Sequence, residues 1–247
     1  MLADAASPPG RDDLREMAWQ TAPAEPRAAR VRPVAIPADS TSLPGSLALP
    51  AGAVGVVVFA HGSGSSRFSP RNVQVAASLN DARLGTLLLD LLSEQEARVH
   101  GKVFDVPLLA ERLSAATAWV EAAPEVCHLP IGYFGASTGA AAALWAAAQD
   151  GGVGAVVCRG GRPDLAAARL PAVRAPTLLV VGGNDDVVLE LNREALALLG
   201  CEAELRVVEG ATHLFEEPGA LEEVASLARR WFLRHLGEGP PSADGSS

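Results

Sequence analysis

The chain has 247 residues, of which 49% are hydrophobic, enough for one domain with a large core and too many for a disordered protein. A net charge of −9 excludes a phosphate-backbone partner, because no broad basic field is available. No CxxC, HExxH or helical histidine pair is present, so neither a metal nor an organic cofactor is expected.

Residues 1–29 are rich in Ala, Pro and charge, without periodicity and without the apolar core of a signal peptide; they read as a flexible arm. Two short strands, 31–36 and 46–49, open a domain spanning 30–237. The run 54–60 is β-branched and uncharged, as a strand covered on both faces requires. A helix is expected from Pro70 to about residue 82, with the proline suited to its first turn. A strand at 86–90 leads into a polar stretch, 91–104, the one loop long enough to act as a lid. A helix over 106–121 follows, then a strand at 131–135 and an Ala-rich helix over 138–149.

Three further strands fall at 153–158, 177–181 and 205–209. The helices between and after them are at 189–199 and 219–236, with a weaker one at 164–169. Residues 238–247 are rich in Gly, Pro and Ser and read as a tail. The longest apolar run, 140–148, is too short to cross a bilayer, and a soluble, cytoplasmic protein is the default expectation. Cys127 and Cys158 fall in or beside buried strands, where cysteine acts as a small hydrophobe, and Cys201 completes an unpaired set. The alternation is that of an α/β protein, a mainly parallel sheet covered on both faces, which binds ligands at the carboxyl ends of its strands.

Chemistry is therefore sought just after each strand. Gly135-Ala136-Ser137-Thr138-Gly139 fits G-x-S-x-G at a strand-to-helix junction, where two glycines let backbones approach and the serine is held out at the sheet edge. A serine needs a base to take its proton. Of five histidines, His213 follows a strand in Gly210-Ala211-Thr212-His213, whereas His128 lies at the wrong end of the sheet and His61 reads as structural. The orienting acid should follow the strand between them. Gly182-Gly183-Asn184-Asp185-Asp186 does so, and Asp185 is taken ahead of Asp186. The order Ser, Asp, His agrees with this arrangement. His61-Gly62-Ser63-Gly64 follows the strand 54–60, so the backbone amides of Ser63 and Thr138 are the expected oxyanion donors, each worth roughly 3 kcal/mol in the transition state.

These segments, Phe59 to Gly64, Gly132 to Gly139, Gly182 to Val188 and Gly210 to His213, make the stretch from about Val34 to Leu236 resemble the dienelactone hydrolase-like branch of the α/β-hydrolase superfamily. The resemblance implies an α/β-hydrolase fold with an eight-stranded, mostly parallel sheet, a Ser137–His213–Asp185 triad and a small ester or lactone substrate. Only about fifteen residues separate Gly161 from Pro176, so no cap domain is expected. Dienelactone hydrolases use a cysteine nucleophile where this chain has Ser137, so their substrate does not carry over. The chain is also similar to domains joined to phosphoribosyltransferases, but it has no phosphoribosyl-pyrophosphate motif and no transferase activity is inferred.

Arg67, Arg71, Arg159 and Arg162 follow strands at the same edge. An arginine fork suits a carboxylate or phosphate, so Arg67, Arg71 and Arg159 are candidate substrate ligands. The competing reading, which is preferred, has these arginines bracing loops through acids such as Asp90, Glu94 or Asp164. Two other functions use the same features: acyl transfer to an acceptor other than water, and binding on a hydrolase scaffold without catalysis.

Overall fold

A computed structural model describes residues 29–39 and 41–237, so the expected C-terminal tail and all but residue 29 of the expected arm lie outside the described residues. The first half holds β1 (Arg30–Ala38), β2 (Thr41–Leu49), β3 (Gly55–Ala60), α1 (Pro70–Asp81), β4 (Leu84–Leu89) and α2 (Val106–Ala122). The second half holds β5 (Ile131–Ala136), α3 (Thr138–Gln149), β6 (Val153–Arg159), β7 (Thr177–Gly182), α4 (Asp186–Leu198), β8 (Ala203–Val208) and α5 (Ala220–Leu236). They form one eight-stranded sheet in the order β1-β2-β4-β3-β5-β6-β7-β8. β1 pairs antiparallel with β2, and β2 with β4; every other neighbour is parallel.

The opening hairpin is longer than the sequence pattern indicates, nine residues in each strand. Pro33 and Pro37 interrupt the pattern of β1, yet both are tolerated because β1 is an edge strand and needs no full ladder of N–H donors. The weak helix over 164–169 is instead a run of 3₁₀ turns, Pro163–Ala172, with Pro171 inside it. Cys158 lies in the core as expected, and burial pushes its thiol up to about 12. Cys127 does not: it sits in the turn before β5 and is exposed.

Strand periodicity divides the core into two layers. Val56, Val58 and Ala60 of β3 join the layer under α2 and α3, while Val57 and Phe59 join the layer under α1 and α5. Helix starts are fixed locally. The Ser69 side chain accepts from the Asn72 amide ahead of α1, and Asp105 accepts from the Leu108 amide at 3.1 Å ahead of α2. Such caps contribute about 1 kcal/mol each. The buried Tyr133 hydroxyl is satisfied by Thr117 at 2.5 Å and Asp150 at 3.1 Å.

α3 packs tightly on the sheet, with Ala140, Ala141, Ala142 and Ala143 fully buried. Its first turn tolerates no side chain at residue 139: a Cβ on Gly139 would sit 2.2 Å from the Ala60 carbonyl oxygen. That carbonyl and the His61 carbonyl oxygen, at 2.5 Å, are both backbone, so relief requires moving α3 or β3. Gly139→Ala is therefore expected to destabilise the fold by about 3 kcal/mol, at the upper end of overpacking costs. Chemical denaturation followed by circular dichroism measures this, and a midpoint equal to wild type would contradict the packing argument.

Candidate active site

Ser137 connects β5 to α3 with φ 51° and ψ −121°, a backbone conformation that costs a non-glycine residue on the order of 1–3 kcal/mol. Neighbouring backbone holds it there. Its N–H donates to the Arg159 carbonyl at 3.1 Å, and its own carbonyl accepts from the Ala140 and Arg162 amides, each at 3.1 Å. The turn is thus clamped to the end of β6, with Ser137 at the carboxyl edge of the sheet.

The loops after β7 and β8 meet at that edge. The Asn184 amide donates to Ala211 O at 2.9 Å and its side chain to Gly210 O at 2.8 Å. Within this frame the His213 ring nitrogen Nδ1 lies 2.6 Å from Asp185 Oδ2. A carboxylate only accepts, so Nδ1 carries the proton and Nε2 is the nitrogen left with a free lone pair. Asp186 opens α4 and is exposed, with no side-chain partner among the described residues. The imidazole lies against the backbone after β6: a Cβ on Gly160 would be 3.4 Å from His213 Nδ1 and Cε1.

His61 uses both ring nitrogens, Nδ1 at 2.9 Å from Gly62 O and Nε2 accepting from the Leu91 amide at 3.3 Å. Burial lowers its pKa, so it stays neutral and ties the loop after β3 to the loop after β4. The Ser63 amide, expected as a free oxyanion donor, instead donates to Thr138 Oγ1 at 2.8 Å. The cause is the Thr138 hydroxyl, whose part the G-x-S-x-G pattern does not specify. The Thr138 amide opens α3, where no intrahelical acceptor exists for it.

The arginines divide. Arg67 is ion-paired with Asp90 and its amide donates to Asp90 Oδ1 at 2.6 Å, so this side chain braces a loop and leaves the substrate-ligand set. Arg162 forms a two-pronged pair with Asp164 at 2.8 and 2.7 Å. Arg71 reaches Glu216 at 3.3 Å, across to the His213 loop. Arg159 has no acid partner among the described residues; it is 8% exposed, with Nε and Nη1 buried and unbonded there.

A cleft of about 660 Å³ opens beside Ser63 and Thr138, walled by Pro44, Leu92, Val103 and Leu109. The expected lid segment forms its far side as two short turns, Glu96–Arg98 and His100–Val103. Glu96 pins them, accepting from the Ser93 amide at 3.0 Å and Lys102 Nζ at 3.0 Å. Those donors, the Ser93 amide first, hold its carboxyl down at about 2. A depression of about 730 Å³ at the opposite end of the sheet, beside Pro50 and His128, is remote from the carboxyl ends of the parallel strands. Among the described residues, no group of three His, Cys, Asp or Glu could hold a metal, and no helix is long and apolar enough to cross a membrane.

Strand order, elbow and the His–Asp contact define the α/β-hydrolase class. Residues 45–236 match the model of the dienelactone hydrolase family, and the chain belongs to that family. A dienelactone hydrolase from Anabaena variabilis ATCC 29413, known from its crystal structure, is 50% identical with a TM-score of 0.83, covering 85% of this chain and 100% of that one. A cold-adapted esterase from an Arctic intertidal metagenomic library shares the fold, with a TM-score of 0.70 at 19% identity over 87% of this chain and 98% of that one. Proteins of Mycobacterium tuberculosis strains CDC 1551 / Oshkosh and H37Rv, provisionally named phosphoribosyl transferases, are 56% identical over 209 residues, 84% of this chain. That stretch is 47% of their length, so the chain spans about half of the curated relatives it matches.

The 2.6 Å contact carries its own test. A short Nδ1–H bond to a carboxylate gives a proton resonance far downfield of the amides. The signal is expected in wild type and in Asp186→Asn, and lost in Asp185→Asn. Loss in Asp186→Asn instead would reassign the partner.

Proposed function

We propose that the chain is a serine hydrolase that cleaves a carboxylic ester or lactone through an acyl-enzyme on Ser137. The observation that carries this reading is the meeting, at one sheet edge, of a serine on a left-handed elbow and a histidine held by Asp185 at 2.6 Å.

His213 Nε2 takes the Ser137 proton as Oγ attacks the carbonyl, and Asp185 stabilises the imidazolium that forms. The oxyanion develops at the start of α3, where the Thr138 amide and the positive end of the helix dipole lie. Ser63 joins as the second donor when the Thr138 hydroxyl releases its amide. His213 then protonates the leaving alcohol, and water repeats the cycle on the acyl-enzyme. The 660 Å³ cleft is of a size to take one small organic group, and its apolar wall suits an uncharged part of the substrate. Every step uses groups of this chain alone. The likeness to longer proteins named phosphoribosyl transferases adds no step to this reading, because the chain has no phosphoribosyl-pyrophosphate motif.

A fluorophosphonate probe is expected to label Ser137, and Ser137→Ala to lose labelling and about 10⁴–10⁶-fold in ester turnover. Undiminished labelling or turnover in Ser137→Ala would remove serine hydrolysis at this site.

A further inference from the structure

We propose that Arg159 and Arg71 form a phosphate-binding site beside Ser137, so that the physiological substrate carries a phosphate monoester. This rests on the hydrolase reading for the word substrate, but the site itself stands on the arginines.

Three of the four arginines at this edge have acids: Arg67 has Asp90, Arg162 has Asp164 and Arg71 has Glu216. Arg159 is the exception and also the one deeply buried. Among the described residues its Nε and Nη1 have no hydrogen-bond partner, and the Nε of Arg71 is likewise buried and unbonded. The charged group that acts most on Arg159 is Arg71, another cation. Burial, with Arg71 adding to it, lowers the Arg159 guanidinium to about 10, which still leaves it charged at neutral pH. Of the acids on the nearby His213 loop, Glu216 pairs with Arg71, and Glu217 accepts from the Thr212 hydroxyl at 2.7 Å through Oε1, while its Oε2 is buried and unbonded among the described residues.

A buried charge without a counter-ion is among the costlier features a fold can keep, several kcal/mol before compensation. An anion arriving with the ligand removes that cost. The position suits one. Arg159 is the strand partner of Ala136, its carbonyl takes the Ser137 N–H, and its neighbour Gly160 lies against His213. β6 alternation sets its side chain on the side of Val157, in the α1 and α5 layer. The apolar cleft lies on the other side, toward Leu109 in the α2 and α3 layer. A substrate held at both ends would thus place its ester between them.

Charge favours phosphate over carboxylate. One arginine fork engages both oxygens of a carboxylate and balances its single charge. Here Arg159 Nε, Arg159 Nη1 and Arg71 Nε all lack partners among the described residues, and of the two guanidinium groups only Arg71 is paired with an acid, Glu216. A phosphate monoester brings three oxygens and nearly two negative charges.

Thermal unfolding and calorimetric titration with inorganic phosphate test the site, at fixed ionic strength and with acetate as the carboxylate probe. They are run on Ser137→Ala, which needs no turnover, and on the same chain with Arg159→Met or Arg71→Gln. Phosphate is expected to raise the Tm of Ser137→Ala well beyond any rise in the Arg159→Met chain, and beyond acetate. Affinity for phosphate should fall about 30-fold or more with Arg159→Met, and about tenfold with Arg71→Gln. In phosphate-free buffer the Arg159→Met chain should melt at or above its parent, since an unpaired buried charge has been replaced by an apolar chain of similar length. A melting point well below the parent, or failure to fold, would make Arg159 a structural residue and overturn the proposal. Equal phosphate binding with and without Arg159, or acetate matching phosphate, would overturn it too. None of these outcomes depends on hydrolysis, whereas failure of Ser137 to label bears on the hydrolase reading alone.

Discussion

The Ala60 carbonyl oxygen lies 2.2 Å from where a Cβ on Gly139 would stand, and nearly everything at the sheet edge follows from that approach. Because α3 is packed so tightly against β3 and β5, the chain has no room for a gradual turn between strand and helix. It makes the turn in one residue, Ser137, at φ 51°. The strain is local, about 1–3 kcal/mol, and is offset by bonds from the Ser137 backbone to the end of β6 and the start of α3. The same approach brings the loop after β3 over the helix start, so Ser63 and Thr138 come within hydrogen-bond distance.

That proximity has a consequence for catalysis. The Ser63 amide is satisfied by the Thr138 hydroxyl, which avoids leaving an orphan donor when no oxyanion is present. The hydroxyl is a neutral acceptor; a developing oxyanion is charged and binds an amide about twice as strongly. In the proposed reaction the exchange is favourable only once charge develops, which is the differential binding that catalysis requires. The His213 side is arranged differently. There the loops after β7 and β8 are fastened to each other through Asn184, and His213 is fixed by Asp185 and the Gly160 backbone.

The central strands and long helices were legible in the sequence because each carries a signal of its own: the uncharged run 54–60, the Pro70 start of α1, the alanines of α3. The opening hairpin was only partly legible. Pro33 and Pro37 argue against a strand unless the chain is known to lie at an edge, which is a property of the sheet and not of the segment. Ser137, His213 and Asp185 were expected from their places after strands, and the fold sets Asp185 rather than Asp186 against His213. Asp90, the partner of Arg67, was among the acids expected to brace these loops, but Glu216, the partner of Arg71, was not legible: it comes from another loop, 145 residues away in sequence. Nor was Arg159, because a missing partner is visible only when all its neighbours are in place. The Thr138 hydroxyl belongs to the same group, since the pattern reads residue 138 as a variable position.

The account stands on covalent chemistry at Ser137. Its most direct measurement is rapid acid quench of turnover with p-nitrophenyl acetate, followed by mass spectrometry of the digested chain. The account predicts an acetyl group on Ser137 during turnover, disappearing as substrate is exhausted. Acetylation confined to another residue such as Cys127, or p-nitrophenol release with Ser137 never acetylated, would contradict it.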